Sequence, residues 1–239
     1  MIEGAPDAIR ALKKRGIACR FLTNTSTASV ETLGRRLRAL GLPVERDEIV
    51  TTPRAAARLL RERGTPRCHF VLTDDARRDF EGFPEDDRRP EVIVLGDIGE
   101  RWSHALLNRL FRMIMDGAEL VALHKGRFWE TATGLTMDIG AFVAGLEYVT
   151  GREATVIGKP SAAFFRLALS DLGVDAPAAA MVGDDIDSDV GGAQRAGVRG
   201  ILVRTGKYRE EVVARSTIVP DLVIDSIREL PERLSPGER

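Results

Sequence analysis

The sequence of 239 residues has few of the residue types that mark specialised folds and sites. It contains only two cysteines, too few for a disulfide framework, and Cys19 and Cys68 both lie in apolar, strand-like segments. We therefore expect reduced, buried thiols. No apolar run is long enough to span a membrane. The formal net charge is −1, so neither nucleic acid nor an anionic membrane is an expected partner. These absences favour a cytoplasmic globular protein.

Several catalytic motifs are missing as well. The sequence has no Walker A pattern and no G-x-G-x-x-G fingerprint, so it does not indicate a P-loop NTPase or a dinucleotide-dependent oxidoreductase. Its three histidines, His69, His104 and His124, lack the neighbours that a nucleophilic triad would need. What remains is an ordinary globular composition, with 44% apolar and 30% charged residues, in a chain long enough for one large or two modest domains.

Short β-rich runs alternate with helical stretches along the chain, which predicts an α/β fold with a largely parallel sheet. Three similar strand runs follow one another: CHFVLTDD, PEVIVLGD and AELVALHK. We predict a self-contained α/β unit over residues 52–154, inserted into an outer domain formed by residues 1–51 and 155–239. Within the inserted unit, one helix is predicted to be capped by Asp138 and closed by Gly151.

Two strand ends of the outer domain carry polar residues, and ligands of doubly wound sheets collect at the carboxyl ends of strands. After the run RFL come Thr23, Asn24 and Thr25, whose hydroxyl and backbone N–H groups suit phosphate oxygens. After the run TVIG comes Lys159, which precedes Pro160 and is therefore biased towards an extended backbone. Its ammonium group could neutralise a phosphate. The alternatives are a turn with a helix N-cap and an exposed surface lysine.

Four carboxylates crowd a third strand end, in the segment GDDIDSD: Asp184, Asp185, Asp187 and Asp189. Like charges this close raise one another's pKa unless something positive lies among them. An EF-hand register from Asp185 fails because Val190 stands where the turn glycine belongs. A cation held by one or two carboxylates, with water and substrate phosphate, is typical of Mg²⁺. The alternative is an acidic loop that caps a helix; Asp185 and Asp187 are expected either to play this role or to support the metal ligand from outside its coordination sphere.

The order of these three motifs, with an insertion after the first, resembles the haloacid dehalogenase (HAD) superfamily. The inserted unit resembles the C2 cap of the type IIA members. The likeness runs over nearly the whole chain from Ile2 onward. Its finer details are similar to the branch that hydrolyses inorganic pyrophosphate and the P–N bonds of phospholysine and phosphohistidine; they lie in ALHKGRFW, DIGAFVAGLEYVTG and GKPSAAFF. The resemblance implies a HAD-type doubly wound, Rossmann-like parallel sheet with an inserted α/β C2 cap domain.

The resemblance also implies an activity, that of a magnesium-dependent phosphatase working through an aspartyl-phosphate. Its substrates would be small phosphorylated compounds: phosphomonoesters, pyrophosphate or phosphoramidates. By motif match, the segment Thr23–Thr25 would bind the phosphoryl group and Lys159 would stabilise it, with Thr23 and Lys159 as catalytic residues. Asp184 would ligate Mg²⁺, and Asp189 would orient the waters of the metal.

The cap of such an enzyme covers the site, and a homodimer through the cap is compatible with the resemblance. His124 and Lys125 follow the third strand of the inserted unit, where similar residues occur in the resembled branch. We expect them to contact the leaving group, with a plain strand-end loop as the equal alternative.

One element of the family pattern is absent from residues 1–239. Members of the family carry an apolar strand ending in D-x-D, with the nucleophilic aspartate, upstream of the turn that MIEGA resembles. Asp7 cannot replace it because it is expected in the first turn of a helix. That strand would lie between the strands ending at Thr23 and Gly183, so its absence would leave two apolar edges unpaired. We therefore expect that the nucleophile lies outside this chain, that the given start is too late, and that the chain as written is inactive. The alternative is a catalytically inactive relative that binds phosphate ligands or protein partners.

Overall fold

A computed structural model of the chain describes residues 2–131 and 134–234. The helices are α1 (Ala5–Lys14), α2 (Val30–Ala39), α3 (Thr52–Glu62), α4 (Asp74–Arg77), α5 (His104–Met115), α6 (Gly140–Thr150), α7 (Ala162–Leu172), α8 (Gly192–Arg195), α9 (Glu210–Arg215) and α10 (Leu230–Arg233). The strands are β1 (Phe21–Thr23), β2 (Ile49–Thr51), β3 (Cys68–Val71), β4 (Val92–Leu95), β5 (Glu119–Ala122), β6 (Phe128–Thr131), β7 (Gly134–Met137), β8 (Thr155–Val156), β9 (Ala180–Gly183), β10 (Arg199–Val203) and β11 (Leu222–Ile224).

Contacts divide the chain into two compact units. The first unit comprises Met1–Leu22, Gly34–Ile49 and Lys159–Arg239, and the second comprises Thr23–Leu33 and Val50–Gly158. Strands β1 and β2 pair with each other, and the boundary between the units falls within both of them. The domain limits expected from the sequence remain a prediction.

The second unit is built on a parallel sheet with the strand order β3-β4-β5-β8. Its first three strands lie within the three apolar runs that the sequence predicted to be strands, so this prediction is confirmed. β4 is buried along its whole length, as a continuous apolar run on both faces of a parallel sheet requires. Helices α5 and α6 pack on the sheet through a core that includes Ile93, Leu110 and Val143, each fully buried. These residues form the hydrophobic core that lets the unit hold its strand-end loops in place.

An antiparallel hairpin, β6–β7, follows the sheet strand β5 and was not expected from the sequence. Its base is closed by two hydrogen bonds, from the Asp138 N–H to the Arg127 carbonyl at 3.1 Å and from the Gly140 N–H to the Gly126 carbonyl at 2.9 Å. This closure moves the start of α6, so the predicted Asp138 cap is wrong. Ile139 is the N-cap residue, and the Asp138 carboxylate accepts the Ile139 N–H at 2.7 Å.

The other end of α6 agrees with the sequence prediction. Gly151 ends the helix with φ +65, the left-handed conformation that favours glycine at this position.

The first unit contains a parallel sheet with the order β11-β10-β9. Helix α1 packs its apolar stripe, Ile9 and Leu12, against Ile201 and Val203 of the central strand. Pro6 in the first turn supplies a helical φ without losing a needed donor. Asp7 also lies in this first turn, as the sequence predicted, and its exposed carboxylate pairs with Arg10.

Strand β9 has one free edge in the described part of the chain. It pairs with β10 alone, and β1 likewise pairs only with β2. Met181 and Val182 of β9 are therefore only half-buried, whereas Ile201 and Leu202 of β10 are buried. The unpaired apolar edges that the sequence predicted are present at these two strands.

Both cysteines are free thiols, as expected from their number and setting. Cys68 is buried, and burial raises the pKa of its thiol to about 11. Cys19 is half-buried, and burial raises the pKa of its thiol as well. Both thiols are thus held in the protonated, poorly nucleophilic form. Among the described helices, none is long and apolar enough to cross a membrane.

Candidate functional site

The second carboxylate of the acidic loop after β9, that of Asp185, is used to bind backbone N–H groups. The Asp185 side chain accepts the N–H groups of Asp187 and Ser188, at 3.1 and 2.9 Å. It thereby caps one turn of π-helix, Ile186–Gly191, which leads into α8. The expectation that Asp185 caps a helix is confirmed. Widened turns of this kind are frequent at functional sites.

Asp189 lies inside this turn, and the positive charge that the acidic run requires is beside it. The Lys159 ammonium donates to Asp189 Oδ1 at 2.7 Å, and Asp189 Oδ2 accepts the Asp185 N–H at 3.2 Å. Only 5% of the Asp189 side chain is exposed. Gly183 makes this burial possible, because a Cβ there would lie 2.4 Å from the Asp189 side chain. The structure therefore brings together the second and third predicted strand ends.

Lys159 is a largely buried residue and not a surface lysine. Its side chain is 13% exposed, and its ammonium also donates to the Leu22 carbonyl at 3.3 Å. The Lys159–Pro160 peptide bond is cis. A lysine held by a buried carboxylate and a strand carbonyl has a fixed position, unlike a solvated side chain.

Asp184 is held in a different way from Asp189. Its Oδ2 accepts the Lys207 N–H at 2.8 Å, and no hydrogen bond to Oδ1 occurs within residues 2–131 and 134–234. In the same part of the chain, no group of three His, Cys, Asp or Glu side chains is placed to hold a metal. One free carboxylate oxygen fits a cation such as Mg²⁺, which keeps water and phosphate oxygens as most of its ligands. It does not fit a closed zinc site.

The segment Thr23–Thr25, which belongs to the second unit, forms a tight polar turn. The Thr23 and Thr25 hydroxyls are 2.8 Å apart, and the Thr25 N–H donates to Thr23 Oγ1 at 3.1 Å. Asn24 packs over Gly158, where a Cβ would lie 2.5 Å from Asn24 Oδ1. The turn foreseen as the alternative for this segment is present, and its hydroxyls remain the chemistry that suits a phosphate.

His124 has neighbours that its sequence position does not reveal. Its Nε2 lies 3.1 Å from Ser26 Oγ, and its Nδ1 lies 3.7 Å from an Asp138 oxygen. A serine and an aspartate therefore lie beside His124, but the aspartate is beyond hydrogen-bond distance, so the three residues do not form a hydrogen-bonded nucleophilic triad. The partner serine is 98 positions away, so no local pattern could have found it.

This Ser–His–Asp group is nevertheless oriented against nucleophilic catalysis. His124 Nδ1 accepts the Gly126 N–H at 3.2 Å and lies 3.7 Å from Asp138, so it does not donate to the aspartate as the histidine of a triad does. Ser26 Oγ also accepts the Asp97 N–H at 3.1 Å. The group instead ties the loop after β1 to the ends of β4 and β5, all within the second unit.

Lys125, the next residue, pairs with Glu147 of α6. Burial raises the pKa of Glu147, but hydrogen bonds from Lys125 and from the Ala154 N–H outweigh it, so the pKa of that carboxyl is lowered. Lys125 remains 39% exposed and His124 is buried. Of the two residues expected at the leaving group, Lys125 is the one that reaches solvent.

A parallel α/β fold with polar and acidic residues at its strand ends is typical of enzymes that bind phosphorylated ligands at the carboxyl edge of the sheet. Comparison with known families agrees. Residues 1–83 match the family described as "Haloacid dehalogenase-like hydrolase", and residues 156–230 match the one described as "HAD-hyrolase-like". This chain belongs to the haloacid dehalogenase superfamily, in its type IIA group, so the resemblance seen in the motifs is confirmed.

Individual relatives cover nearly the whole chain. Haloacid dehalogenase-like hydrolase domain-containing protein 2 from Homo sapiens is 41% identical over 225 residues, which are 94% of this chain and 86% of the relative. Phospholysine phosphohistidine inorganic pyrophosphate phosphatase from Bos taurus is 38% identical over 235 residues, 98% of this chain and 86% of the relative.

Solved structures of phosphatases share the fold. The p-nitrophenyl phosphatase from Archaeoglobus fulgidus superposes with a TM-score of 0.92 at 30% identity, over 98% of this chain and 92% of that one. The 4-nitrophenylphosphatase from Thermotoga maritima gives a TM-score of 0.90 at 28% identity, over 98% of this chain and 91% of that one. The α/β fold class expected from the sequence is confirmed, and phosphatases are among the proteins most similar to this chain.

Proposed function

We propose that this protein is a magnesium-dependent phosphatase acting on small phosphorylated compounds. The observation that carries the proposal is the arrangement after β9: a buried Lys159–Asp189 ion pair beside Asp184, which has one free carboxylate oxygen. A fixed ammonium and a carboxylate able to bind a cation are the two groups that neutralise a transferring phosphoryl group. The relatives named as phosphatases support the same activity.

The roles of the three charged residues follow from their partners. Lys159 stabilises the phosphoryl oxygens, and Asp189 holds the lysine in place. Asp184 would hold Mg²⁺ through its free oxygen, and Asp189, in the same loop, would orient the waters of the ion. When bound, the ion would supply further positive charge to the phosphoryl group.

The remaining binding residues are assigned by motif and chemistry. The hydroxyl of Thr23 and the backbone of Asn24, with Thr25 beside them, bind phosphoryl oxygens. Lys125 is the exposed cation at the end of β5 and contacts an anionic leaving group, while His124 holds the neighbouring backbone for it. An exposed cation at this position favours pyrophosphate, whose leaving group is an anionic phosphate, whereas a phosphoramidate releases a neutral or cationic amine or imidazole. Phosphomonoesters and phosphoramidates stay in the proposed substrate class because relatives are named for them.

We further propose that the nucleophile is an aspartate of a D-x-D strand that the sequence of residues 1–239 does not include. The half-exposed apolar edge of β9 supports this, because an added parallel strand would bury it and deliver an aspartate to the strand edge near Asp184. Asp7 is not a substitute, since it lies on α1 and pairs with Arg10.

The test measures Mg²⁺-dependent phosphate release from inorganic pyrophosphate and p-nitrophenyl phosphate. Two proteins are compared: residues 1–239, and the same chain extended by the residues encoded in frame upstream. We expect activity in the extended protein alone. Asp184→Asn should lower it by about a hundredfold or more, because a carboxylate that binds the cation is lost. Asp187→Asn, with the same charge change in the same loop, should leave it within about twofold.

Other outcomes of this test would refute the upstream nucleophile or favour a different function. Activity of residues 1–239 that Asp184→Asn abolishes would refute the upstream nucleophile. An upstream stop codon before any D-x-D strand, or an inactive extended protein that still binds phosphate, would favour the second candidate, a non-catalytic relative. That candidate is favoured by one observation, that Asp7 on α1 is the wrong place for a nucleophile.

We also propose that two copies associate through the β6–β7 hairpin. Phe128, Leu135 and Met137 are 56%, 71% and 60% exposed, and the strand register places them on one face. A two-stranded hairpin is marginal in water, so a second copy covering this apolar face would stabilise it. Light scattering should give a dimer mass that Phe128→Ser reduces to a monomer mass. Val219→Ser, at an equally exposed valine of the first unit, should leave the dimer unchanged.

A further inference from the structure

The loop that follows β10 reaches back over the acidic loop that follows β9. The two strands pair in parallel with Leu202 opposite Gly183, so their carboxyl ends lie at one edge of the sheet. Asp184 comes directly after β9, and Gly206 comes three residues after β10 ends. None of the three strand-end motifs includes this second loop, whose sequence is RTGKYR.

Gly206 is the point of closest approach between the two loops. A Cβ on Gly206 would lie 1.9 Å from Asp184 Oδ2 and 3.1 Å from its Cγ. The next residue, Lys207, donates its N–H to the same Oδ2 at 2.8 Å. Gly206 also has φ +60, a conformation that side chains rarely adopt. The absence of a side chain is therefore what lets the backbone close onto the carboxylate.

This contact gives the two oxygens of the Asp184 carboxylate different surroundings. Oδ2 is occupied by the Lys207 N–H, and Oδ1 has no hydrogen-bond partner among the residues that the structure describes. A carboxylate fixed by one oxygen presents the other in a single direction, which lowers the entropy lost when a cation binds. An alanine at position 206 would force the short Asp184 side chain to turn away, because the clash is with the carboxylate itself.

We propose that Gly206 is a positioning residue of the cation site, which holds Asp184 by letting the Lys207 N–H bind Oδ2 and leaves Oδ1 for the cation. The inference rests on the proposed role of Asp184 and goes beyond it, because it assigns a function to the loop after β10. Gly206 itself touches neither cation nor substrate. Its effect is expected to be on the direction of the Asp184 carboxylate.

The test uses the chain extended by the residues encoded in frame upstream, so that the proposed cation site is complete, as wild type, Gly206→Ala, Gly173→Ala and Asp184→Asn. Gly173 is the matched control, because it has φ +67 in the same unit but no atom within 4 Å of a Cβ. Alanine there carries the same backbone strain without a clash. Two quantities are measured: amide hydrogen exchange of Lys207, and binding of Mn²⁺ as a paramagnetic substitute for Mg²⁺.

We expect Lys207 to exchange about tenfold faster in Gly206→Ala than in the wild type, since a hydrogen bond to a charged acceptor is lost. Mn²⁺ should bind about tenfold more weakly to Gly206→Ala than to Gly173→Ala. Unchanged Lys207 exchange in Gly206→Ala would overturn the proposal. Faster exchange with unchanged Mn²⁺ affinity would also overturn it, because the contact would then have no bearing on the cation.

The experiment distinguishes failure of the Asp184 assignment from failure of the Gly206 proposal. If the wild type binds no Mn²⁺, or if Asp184→Asn binds it equally well, the assignment of Asp184 as a ligand is refuted. The cation part of the inference then falls with it. The exchange of Lys207 still decides, in that case, whether Gly206 fixes the direction of Asp184.

Discussion

The buried ion pair between Lys159 and Asp189 allows a quantitative prediction about stability. Replacing Lys159 by methionine keeps the length and much of the volume of the side chain but removes its charge. Asp189, with 5% of its side chain exposed, would then be an ionised group without a cation beside it. The first unit should lose stability, because a carboxylate that is removed from water needs a partner.

The size of the expected stability loss depends on the hydrogen bonds that Asp189 retains in the variant. Breaking a buried pair by removing one partner typically costs about 3–5 kcal/mol. Asp189 Oδ2 retains the hydrogen bond from the Asp185 N–H, so only the 2.7 Å contact at Oδ1 is lost. We therefore expect the lower end of the range, about 3 kcal/mol. Part of this loss should be recovered in the double variant Lys159→Met/Asp189→Asn, in which the charge is gone and the amide oxygen can still accept the Asp185 N–H.

The assay is unfolding in urea, followed by far-ultraviolet circular dichroism. Arg204→Met is the control, because Arg204 and Asp225 form a 3.0 Å ion pair in the same unit with both side chains more than half exposed. Its removal should not measurably change the midpoint, since solvent screens exposed pairs. If Lys159→Met shifts the midpoint no more than Arg204→Met, or if the double variant is no more stable than the single one, the reasoning about the buried charge is refuted.

Two further predictions concern the second unit. His69 is buried, and burial lowers its pKa from 6.5 despite a hydrogen bond to Asp87, while Arg109 donates to its other ring nitrogen. The folded unit therefore binds the proton less readily than the unfolded chain. Its free energy of unfolding should be full above pH 6.5 and fall as the pH drops below that value. The substitution His69→Gln should flatten this part of the pH profile of urea unfolding. Gly158→Ala should destabilise the second unit by about 1–3 kcal/mol in urea unfolding, because its Cβ would meet Asn24 Oδ1 at 2.5 Å; a wild-type midpoint would show that the turn can shift freely.

Elements that are determined by local sequence could be predicted. The strands β3, β4 and β5 are apolar runs between polar or glycine-containing segments, and each is found where its run predicts it. Asp185 caps the turn that follows it because its side chain reaches N–H groups two and three residues ahead, an interaction that depends on neighbouring residues only. Gly151 ends α6 for a similarly local reason.

Features that depend on distant residues could not be predicted. The hydrogen bond between Ser26 and His124 joins positions far apart in the chain, and it exists only because β4, β5 and the loop after β1 meet in the second unit. The hairpin β6–β7 was missed because its strands are short and their apolar residues are exposed, so no buried face produces a clear alternation. Closure of that hairpin at Arg127 in turn displaced the predicted start of α6.

The acidic run after β9 becomes intelligible once each carboxylate is given its own partner. Asp185 is neutralised in effect by backbone N–H groups, and Asp189 by the Lys159 ammonium. Asp184 receives one N–H at Oδ2 and no positive side chain within the described residues. Asp187 is exposed and keeps its charge in water, so Asp184 is the partly buried carboxylate of the cluster without a charged partner among those residues. The other two carboxylates, Asp185 and Asp189, are already satisfied by the chain. Electrostatics therefore favours a cation at Asp184.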